Sequence, residues 1–405
     1  MDTNTPFLSR LRKAREQAAQ LPTPSAEAQA HSEQLKQSIF QEIDRADGMI
    51  PFALFMELAL YTPGLGYYSS GSVKLGKAGD FITAPEVSSL FSRCVARAIT
   101  PVLSMMPSPA ILEVGAGSGV MASDILAELE SLSSPLEHYV ILERSADLIE
   151  RQQQTIEQRL PQWRDRIEWW NELPHEMHRV IIANELLDAM PVHRVAYLQG
   201  EWYELYVTKN TQNEFDWCLG ELSDERLLSR LHHLEERLGT FTEGYLTEIN
   251  LAAEDWLKTM ADHLQQGMFL LIDYGQTQSN YYHPQRNQGT LMCHYRHQAH
   301  GDPFAFIGLQ DITAHIDFTA IADCALDAGL SVNGFTTQAH FLLGSGITEM
   351  SQETDDVKIQ LDFANQVKKL TLPQEMGESF KVMAFSKNID VAMTGFMFRD
   401  MRDLL

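Results

Sequence analysis

Short apolar runs alternate with amphipathic stretches through most of the chain after Pro107. Runs of this kind are typical of strands buried on both faces, whereas apolar positions that repeat every three or four residues are typical of helices. The runs predict strands at Ala110–Val114, His138–Leu142, Ile167–Trp170, Val180–Ala183 and Met268–Ile272, and helical patterns over 118–131 and 145–160 follow the first two. This alternation predicts an α/β fold with a doubly wound parallel sheet.

A hairpin and a helix interrupt the alternation between the fourth and fifth strands. Val192–Val207 predicts a β-hairpin with a Gln-Gly pair at its turn. Over 222–238, leucines recur on one helical face before Gly239. These leucines are Leu227, Leu231, Leu234 and Leu238. We therefore interpret 192–262 as a smaller inserted subdomain.

The two ends of the chain have different patterns. Residues 1–35 are mostly polar and are interrupted by Leu21-Pro-Thr-Pro-Ser, which predicts a frayed helix and a linker. The C-terminal part adds a helical pattern over 317–329, a strand near 330–335 and a strand at Phe380–Phe385, which we expect at the sheet edge. The predicted organisation is a flexible or helical segment (1–50), a helical and glycine-rich region (51–105), a core (106–191 and 263–405) and the insertion (192–262).

The region before the core combines a loop with a helix start. Five glycines between Tyr61 and Phe81 exclude a regular element, and loops often carry sites. The segment Thr83-Ala-Pro-Glu86 has the pattern of a capping box, in which Thr83 caps the helix and Glu86 reaches back. We expect that helix to run to about Thr100.

A glycine-rich turn follows the first core strand. Gly115, Gly117 and Gly119 form a G-x-G-x-G pattern between a strand and a helix, and Glu113 precedes them by two residues. A dinucleotide fingerprint would need glycine or alanine where Val120 stands, which disfavours a nicotinamide dehydrogenase. The arrangement is that of S-adenosylmethionine-dependent methyltransferases, although a purely structural glycine turn is the alternative.

Glu143 ends the second core strand, HYVILE. A Rossmann-like sheet presents an acidic side chain at this point to the two hydroxyls of a ribose. The alternative is a solvated glutamate next to Arg144. We favour the ribose role because the glycine turn precedes it.

Acidic side chains also follow the fourth and fifth strands. Asn184 and Glu185 stand at the end of the fourth strand, Asp188 follows shortly after, and Asp273 ends the fifth. Because strand ends of an open α/β sheet face the ligand crevice, we expect these carboxylates to surround a sulfonium methyl donor and a guanidinium or amine acceptor. For Asp188 a helix cap, and for the nearby His193 a surface or core histidine, are equally good interpretations.

The overall charge restricts the partners of the protein. The chain has 31 Lys and Arg against 55 Asp and Glu, a net charge of −24, so it is not a general nucleic-acid binder. No apolar run approaches the roughly 18 residues of a membrane span. Four dispersed cysteines without a C-x-x-C pair favour a reducing compartment. We expect a cytoplasmic protein without a signal or transit peptide.

Histidines cluster near residue 300 without forming a familiar metal motif. His294, His297 and His300 recur every three residues, but no acidic or cysteine partner stands at zinc-site spacing. We therefore expect no metal, and methyl transfer to nitrogen requires none.

Six ordered motifs together resemble one protein family. They are Leu58–Tyr68, Gly79–Glu86, LEVGAGSG (112–119), ANELLDAMPVHR (183–194), LLIDYG (270–275) and QDITAHIDF (310–318). From about Pro51 to its end the chain resembles the MidA-like S-adenosylmethionine-dependent methyltransferases. That family includes the mitochondrial complex I assembly factor that methylates an arginine of a complex I core subunit.

The resemblance implies a class I methyltransferase fold, Rossmann-like, with an added subdomain and an N-terminal helical segment over the cofactor. It implies that the G-D-F-x-T-A-P-E motif, with Gly79, Asp80, Phe81, Thr83 and Glu86, helps to close the pocket. The absence of a convincing transit peptide suggests a bacterial relative, whereas a eukaryotic chain would belong in the mitochondrial matrix.

Together these observations predict a protein arginine N-methyltransferase that uses S-adenosylmethionine. The glycine turn would admit the cofactor, Glu113 would orient its amino-acid end and Glu143 would bind its ribose. Glu185 with Asn184, and Asp273 at the next strand end, would position the acceptor. The acceptor would be a protein, such as a respiratory complex I subunit. The alternative is an assembly factor or chaperone that binds the cofactor without turnover. The oligomeric state stays open, with a homodimer as one option.

Overall fold

A computed structural model describes residues 6–18, 20–70, 83–350 and 356–405. The α-helices are α1 Pro6–Arg12, α2 Ala14–Ala18, α3 Ala26–Arg45, α4 Phe52–Tyr61, α5 Ala84–Val87, α6 Ser89–Met105, α7 Val120–Ser131, α8 Ala146–Arg159, α9 Glu225–Leu238, α10 Leu251–His263, α11 Gln278–Tyr281, α12 Phe318–Asp327, α13 Gln338–Gly344 and α14 Val357–Thr371. Short 3-10 helices span Pro161–Arg166, Ile347–Met350, Thr394–Phe396 and Arg402–Leu404.

The β-strands belong to three sheets. They are β1 Met49–Pro51, β2 Ala110–Val114, β3 His138–Leu142, β4 Ile167–Trp170, β5 Met177–Asn184, β6 His193–Leu198, β7 Glu201–Lys209, β8 Phe215–Gly220, β9 Tyr245–Ile249, β10 Leu264–Gln276, β11 Met292–Tyr295, β12 Gln298–His300, β13 Asp311–Thr313, β14 Ile316–Asp317, β15 Ser331–Thr337 and β16 Phe380–Lys387.

The largest sheet has the strand order β15-β16-β10-β5-β2-β3-β4, and the short β14 pairs with the end of β10. The strands β10, β5, β2, β3 and β4 are parallel to one another. One face packs against α6 and α7, and the other packs against α10 and α12. The predicted doubly wound sheet is confirmed, because its strands are apolar on both faces and need helices on both sides.

The expected position of the last strand is wrong. β16 lies between β10 and β15 and is antiparallel to both. Phe380–Ser386 are all buried, as a strand with neighbours on both sides and helices on both faces requires. The edge is formed by β15, whose Val332 carbonyl accepts a hydrogen bond from the Arg402 side chain at 2.9 Å.

The second sheet contains the predicted hairpin, with the order β1-β7-β6-β9 and β8 paired with β7. Gln199 and Gly200 have φ of 55° and 85°, the positive values that a type I′ hairpin turn requires. Strand β1, which comes from the N-terminal part of the chain, is antiparallel to β7, the second strand of the hairpin. The helix α1 is attached to the same sheet, because the Arg12 guanidinium donates to both carboxylate oxygens of Asp216 at 2.9 Å.

The helix predicted from Thr83 to Thr100 is interrupted. Ser88 is extended, with φ of −162°, and its hydroxyl accepts a hydrogen bond from the Leu90 N–H, so α6 begins there. The predicted capping box is wrong, since the Thr83 side chain accepts no capping hydrogen bond. Glu86 instead accepts a hydrogen bond from the hydroxyl of Ser118, in the turn after β2. Glu86 therefore bonds to Ser118, a residue distant in sequence, and not to the start of its own helix.

Candidate functional site

The turn after β2 is built from glycines, which adopt its left-handed backbone without the strain that a side chain adds. Gly115, Gly117 and Gly119 have φ of 71°, 53° and 80°, in the region that side chains disfavour. A Cβ on Gly115 would lie 3.1 Å from Leu186 Cδ1, and one on Gly119 would lie 3.1 Å from Gln152 Cα. The turn therefore packs closely against the segment after β5 and against α8. Its three glycines leave the backbone there without side chains.

Glu113 is buried immediately before this turn. Its side chain is 3% exposed, and its Oε2 accepts a hydrogen bond of 2.6 Å from the Tyr139 hydroxyl. Burial raises the pKa of Glu113 to about 7, and the Tyr139 hydrogen bond opposes that rise. A cationic group placed next to this buried carboxyl would stabilise its charged form.

Glu143 is half-buried at the end of β3 and is held by local hydrogen bonds. Its Oε1 accepts from the backbone N–H groups of Arg144 and Ser145, each at 2.9 Å. Its Oε2 accepts from the Gln152 side chain at 3.3 Å, and Gln152 also donates to the Gly117 carbonyl at 3.1 Å. The carboxylate is therefore fixed in direction, and its remaining lone pairs can accept further hydrogen bonds.

Glu185 follows β5 in a left-handed backbone conformation that is uncommon for a residue with a side chain. Its φ is 50°, and its N–H donates to the Ile272 carbonyl at 2.9 Å. Such left-handed geometry in a non-glycine residue costs roughly 1–3 kcal/mol and is common at functional sites. The Asn184 side chain donates a hydrogen bond to Oε1 at 3.2 Å. Burial, followed by repulsion from Asp273, raises the pKa of Glu185 to about 8.

Asp273 organises the segment after β5. Its Oδ2 accepts from the N–H groups of Leu187 and Asp188 at 2.9 and 3.2 Å, and its Oδ1 accepts from the Tyr274 N–H at 2.8 Å. Burial raises the pKa of Asp273 to about 7, against the opposing effect of these hydrogen bonds. Asp273 therefore fixes the backbone of Leu187 and Asp188, directly after Glu185.

Asp188 and Asp311 complete an acidic cluster, which we define as Glu185, Asp188, Asp273 and Asp311. Asp188 and Asp311 are 5% and 2% exposed. Burial, and then the carboxylates of Asp273, Asp311 and Glu185, raise the pKa of Asp188 well above its ordinary value. The interpretation of Asp188 as a helix cap is wrong, since no helix follows it. His193 lies away from the cluster, with Nδ1 2.8 Å from Glu204 Oε1 in the second sheet.

Tyrosines form one wall of the acidic cluster. The Tyr68 hydroxyl is 2.9 Å from both carboxylate oxygens of Asp311, and the Tyr61 hydroxyl donates to the Ala189 carbonyl at 2.9 Å. The two rings stack with centroids 5.5 Å apart. Among the described residues, Glu185, Asp188 and Asp273 form no salt bridge. Several buried carboxylates without a balancing cation make a pocket that favours a cationic ligand.

Sequence reasoning did not assign roles to Tyr61, Tyr68 or Asp311. All three stand in the motifs that carry the family resemblance, which is the signal that could have found them. Gly79 and Asp80, predicted to help close the pocket, lie outside the described residues, whereas Thr83 directly precedes α5.

Other expected features can be compared with the described part of the chain. Within it, no group of three or more His, Cys, Asp or Glu is arranged to hold a metal ion. All four cysteines are free thiols. No helix in the described ranges combines the length and apolar character needed to cross a bilayer.

Comparison with known proteins identifies the family. A family model described as S-adenosyl-L-methionine-dependent methyltransferase matches residues 94–336. The chain belongs to this methyltransferase family. A crystal structure of a COG1565 superfamily member from Burkholderia thailandensis, bound to S-adenosyl-homocysteine, is 42% identical, covers 95% of this chain and 100% of its own, and superimposes with a TM-score of 0.90. The class I methyltransferase fold predicted from the sequence is confirmed.

Relatives with curated names are more distant. Protein arginine methyltransferase NDUFAF7 homolog, mitochondrial, of Drosophila melanogaster is 27% identical over 90% of this chain and 87% of its own. Protein arginine methyltransferase NDUFAF7, mitochondrial, of Homo sapiens is 26% identical over 84% of this chain and 80% of its own.

The residues present fit the cofactor of this methyltransferase family, S-adenosyl-L-methionine. The turn after β2 has no side chain at Gly115, Gly117 or Gly119, so a ligand can approach its backbone, and the buried Glu113 carboxyl suits the ammonium of an amino acid. Glu143 lies at the end of the neighbouring strand, since Val114 pairs with Leu142. The predicted cofactor is therefore confirmed at the level of the family, and the carboxylate acceptors Glu113 and Glu143 suit its ammonium and ribose hydroxyls.

Proposed function

We propose that this methyltransferase transfers a methyl group to an arginine nitrogen of a protein. The observation that carries the proposal is the acidic cluster, whose members Glu185, Asp188 and Asp273 have no salt-bridge partner among the described residues. A guanidinium is a planar cation with five donors, and it matches carboxylates by paired hydrogen bonds. A phosphate or an acidic substrate would be repelled from the same place.

The cofactor residues are proposed from the same geometry. Gly115, Gly117 and Gly119 would admit the cofactor, Glu113 would hold its ammonium, and Glu143 would accept hydrogen bonds from its ribose. When bound, S-adenosyl-L-methionine supplies an electrophilic methyl group on a sulfonium. Leu186 lies next to Gly115 and directly follows Glu185, which supports placing the acceptor residues beside the cofactor turn.

Glu185 and Asn184 would orient the acceptor. The hydrogen bond from Asn184 and the constrained backbone restrict the directions in which the Glu185 carboxylate can point. Held by this carboxylate, the guanidinium would present one nitrogen toward the cofactor side of the crevice. Asp188 and Asp311 would balance its positive charge, and the tyrosine wall would exclude water. Because a free guanidinium stays protonated, these carboxylates are also where its proton would go after transfer.

The relatives named protein arginine methyltransferase support this choice of acceptor. The net charge of −24 further favours a basic protein partner. We propose a respiratory complex I subunit as the class of partner, in the bacterial cytoplasm or the mitochondrial matrix.

The test is methyl transfer from labelled cofactor to a cell extract and to arginine-containing peptides, with the modified residue identified by mass spectrometry. Glu185→Gln should lower the rate about 100-fold, the cost of a positioning error of about one ångström, and leave cofactor affinity nearly unchanged. Glu172→Gln, an exposed glutamate after β4, is the matched control and should behave as the wild type. Labelling of lysine only would refute the arginine assignment, and no labelling would favour an assembly factor without turnover.

A further inference from the structure

Gln152 lies on α8, and its side chain is fully buried beside the glycine turn. Its amide nitrogen donates to the Gly117 carbonyl at 3.1 Å and to Glu143 Oε2 at 3.3 Å. Its amide oxygen accepts from the indole N–H of Trp169 at 3.0 Å. One side chain therefore connects the turn after β2, the carboxylate after β3 and the strand β4.

The backbone of α8 lies close enough to the turn for these contacts because residue 119 is a glycine. A Cβ on Gly119 would lie only 3.1 Å from Gln152 Cα. The strands β2, β3 and β4 are neighbours in this order, so the groups that contact Gln152 lie near adjacent strand ends. A single amide can reach all of them from α8.

The partners of the Gln152 amide all require the same orientation of it. The Trp169 indole N–H is only a donor, so it needs the amide oxygen. The Gly117 carbonyl and the Glu143 carboxylate are only acceptors, so they need the amide NH₂. With the amide reversed, its oxygen would face both acceptors and its NH₂ would face a donor. The indole of Trp169 therefore helps to keep the NH₂ directed at Glu143.

The two oxygens of Glu143 are held in different ways. The N–H groups that bond Oε1 belong to Arg144 and Ser145, which directly follow Glu143 in the chain. The Gln152 amide holds Oε2 from α8 and binds the Gly117 carbonyl at the same time. It therefore sets the direction of the carboxylate relative to the glycine turn.

We propose that Gln152 is a positioning residue, which directs Glu143 Oε2 so that the carboxylate can accept hydrogen bonds from the cofactor ribose. Because its own side chain is fully buried, Gln152 would act through Glu143 and not by touching the ribose. The inference rests on the ribose role of Glu143 in the proposed function. It does not depend on which acceptor is methylated.

The test compares two ligands by calorimetry, S-adenosyl-homocysteine and its analogue without the ribose 2′- and 3′-hydroxyls. The wild type should prefer the ligand with hydroxyls by about 10- to 150-fold, the equivalent of a hydrogen bond to a charged group. Gln152→Met has a similar length but lacks the amide donor, and should lower this preference about fivefold. Its Kd for the analogue should change less than about threefold, because only the ribose contact is affected.

Two further variants complete the binding comparison. Glu143→Ala should remove most of the preference, and adding Gln152→Met to it should lower the preference no further, since the amide acts through this carboxylate. Gln153→Met, at the exposed next position on α8, is the matched control and should behave as the wild type. If Gln152→Met unfolds, Trp169→Phe carries the comparison, because it lets the amide reverse and should lower the preference about threefold.

The indole ¹⁵N–¹H signal of Trp169 supplies a measurement without ligand. Trp169→Phe identifies this signal among those of the six tryptophans. Gln152→Met should move the proton resonance upfield, because the indole loses its acceptor, and Gln153→Met should leave it in place. An unmoved signal in Gln152→Met would show that the amide does not have the orientation on which the inference depends, and would overturn it.

The binding results separate the ways in which the reasoning can fail. If Glu143→Ala loses the preference and folded Gln152→Met or Trp169→Phe keeps it, the positioning role is wrong. Equal weakening of both ligands by Gln152→Met would mean that the residue only supports the fold, which also overturns the inference. If Glu143→Ala keeps the full preference, the ribose role of Glu143 is wrong and the inference fails with it. A wild type that binds as expected but methylates no arginine refutes the proposed acceptor and leaves the positioning role standing.

Discussion

Replacing Glu113 by glutamine should stabilise the protein without cofactor and weaken its binding of cofactor. The carboxyl is 3% exposed, and burial raises its pKa from 4.5 to about 7. At neutral pH, folding must therefore bury a charge or bind a proton. Glutamine has the same shape, can accept the hydrogen bond from Tyr139, and carries no charge.

The size of this effect follows from the two pKa values. Each pKa unit corresponds to about 1.4 kcal/mol, so a rise from 4.5 to about 7 corresponds to about 3 kcal/mol. A raised carboxyl pKa means that the stability is fully present below pH 4.5 and is lost as the pH rises through about 7. The gain from Glu113→Gln should accordingly be small at pH 4.5 and approach about 3 kcal/mol at pH 8.

Urea unfolding of the cofactor-free protein at several pH values between 4.5 and 8 measures this difference. Glu172→Gln, in an exposed position, controls for the loss of a surface charge. Calorimetry with S-adenosyl-homocysteine then measures binding, which should be weaker by about 1.5–3 kcal/mol, since a charged hydrogen-bond partner of the ammonium is lost. A stability gain that is independent of pH, or a loss of stability at pH 8, would refute the proposed origin of the raised pKa.

Three further predictions concern the remaining groups of the crevice. Glu143→Ala should weaken cofactor binding by about 1.5–3 kcal/mol in calorimetry, and the protein should stay folded; unchanged affinity or an unfolded variant would contradict the ribose role. Tyr68→Phe removes the hydroxyl that contacts Asp311 and should raise the KM for an arginine peptide several-fold, with little change in cofactor Kd; equal losses in both would contradict its place in the acceptor wall. Acceptor binding should strengthen as the pH rises from 6 to about 8, because Glu185 must lose its proton to pair with a guanidinium; peptide titrations at fixed ionic strength measure this, and a flat profile would contradict it.

The core sheet could be predicted from the sequence because its signals are local. The short, mostly apolar runs Ala110–Val114 and His138–Leu142 are sufficient to mark strands covered on both faces. The same local signal does not indicate which other strands lie next to a strand in the sheet. Residues 380–387 pair with β10 and β15, which lie far apart in the chain, so the apolar pattern gave the strand but not its position within the sheet.

The positions of the candidate site residues could be predicted where they follow strand ends, but not where they depend on tertiary contacts. The glycine turn, Glu113, Glu143 and Glu185 all stand at positions fixed by the parallel sheet. Glu86 was misinterpreted because Ser118, 32 positions away, competes successfully with the local cap. The pairing of Tyr68 with Asp311 spans 243 positions, and no periodicity in the sequence reports such a contact.

The order of synthesis has a consequence for the acidic cluster. Glu185 and Asp188 leave the ribosome before the second sheet is complete, and Asp273 and Asp311 follow only after it. At roughly 5–20 residues per second, the first two carboxylates wait on the order of ten seconds for the last. Until β10 is made they remain hydrated at the end of β5, because the strand that pairs with β5 on this side is still absent. The carboxylates therefore begin to repel one another only when β10 and β13 pack against β5. The formation of the earlier strands is not opposed by this repulsion.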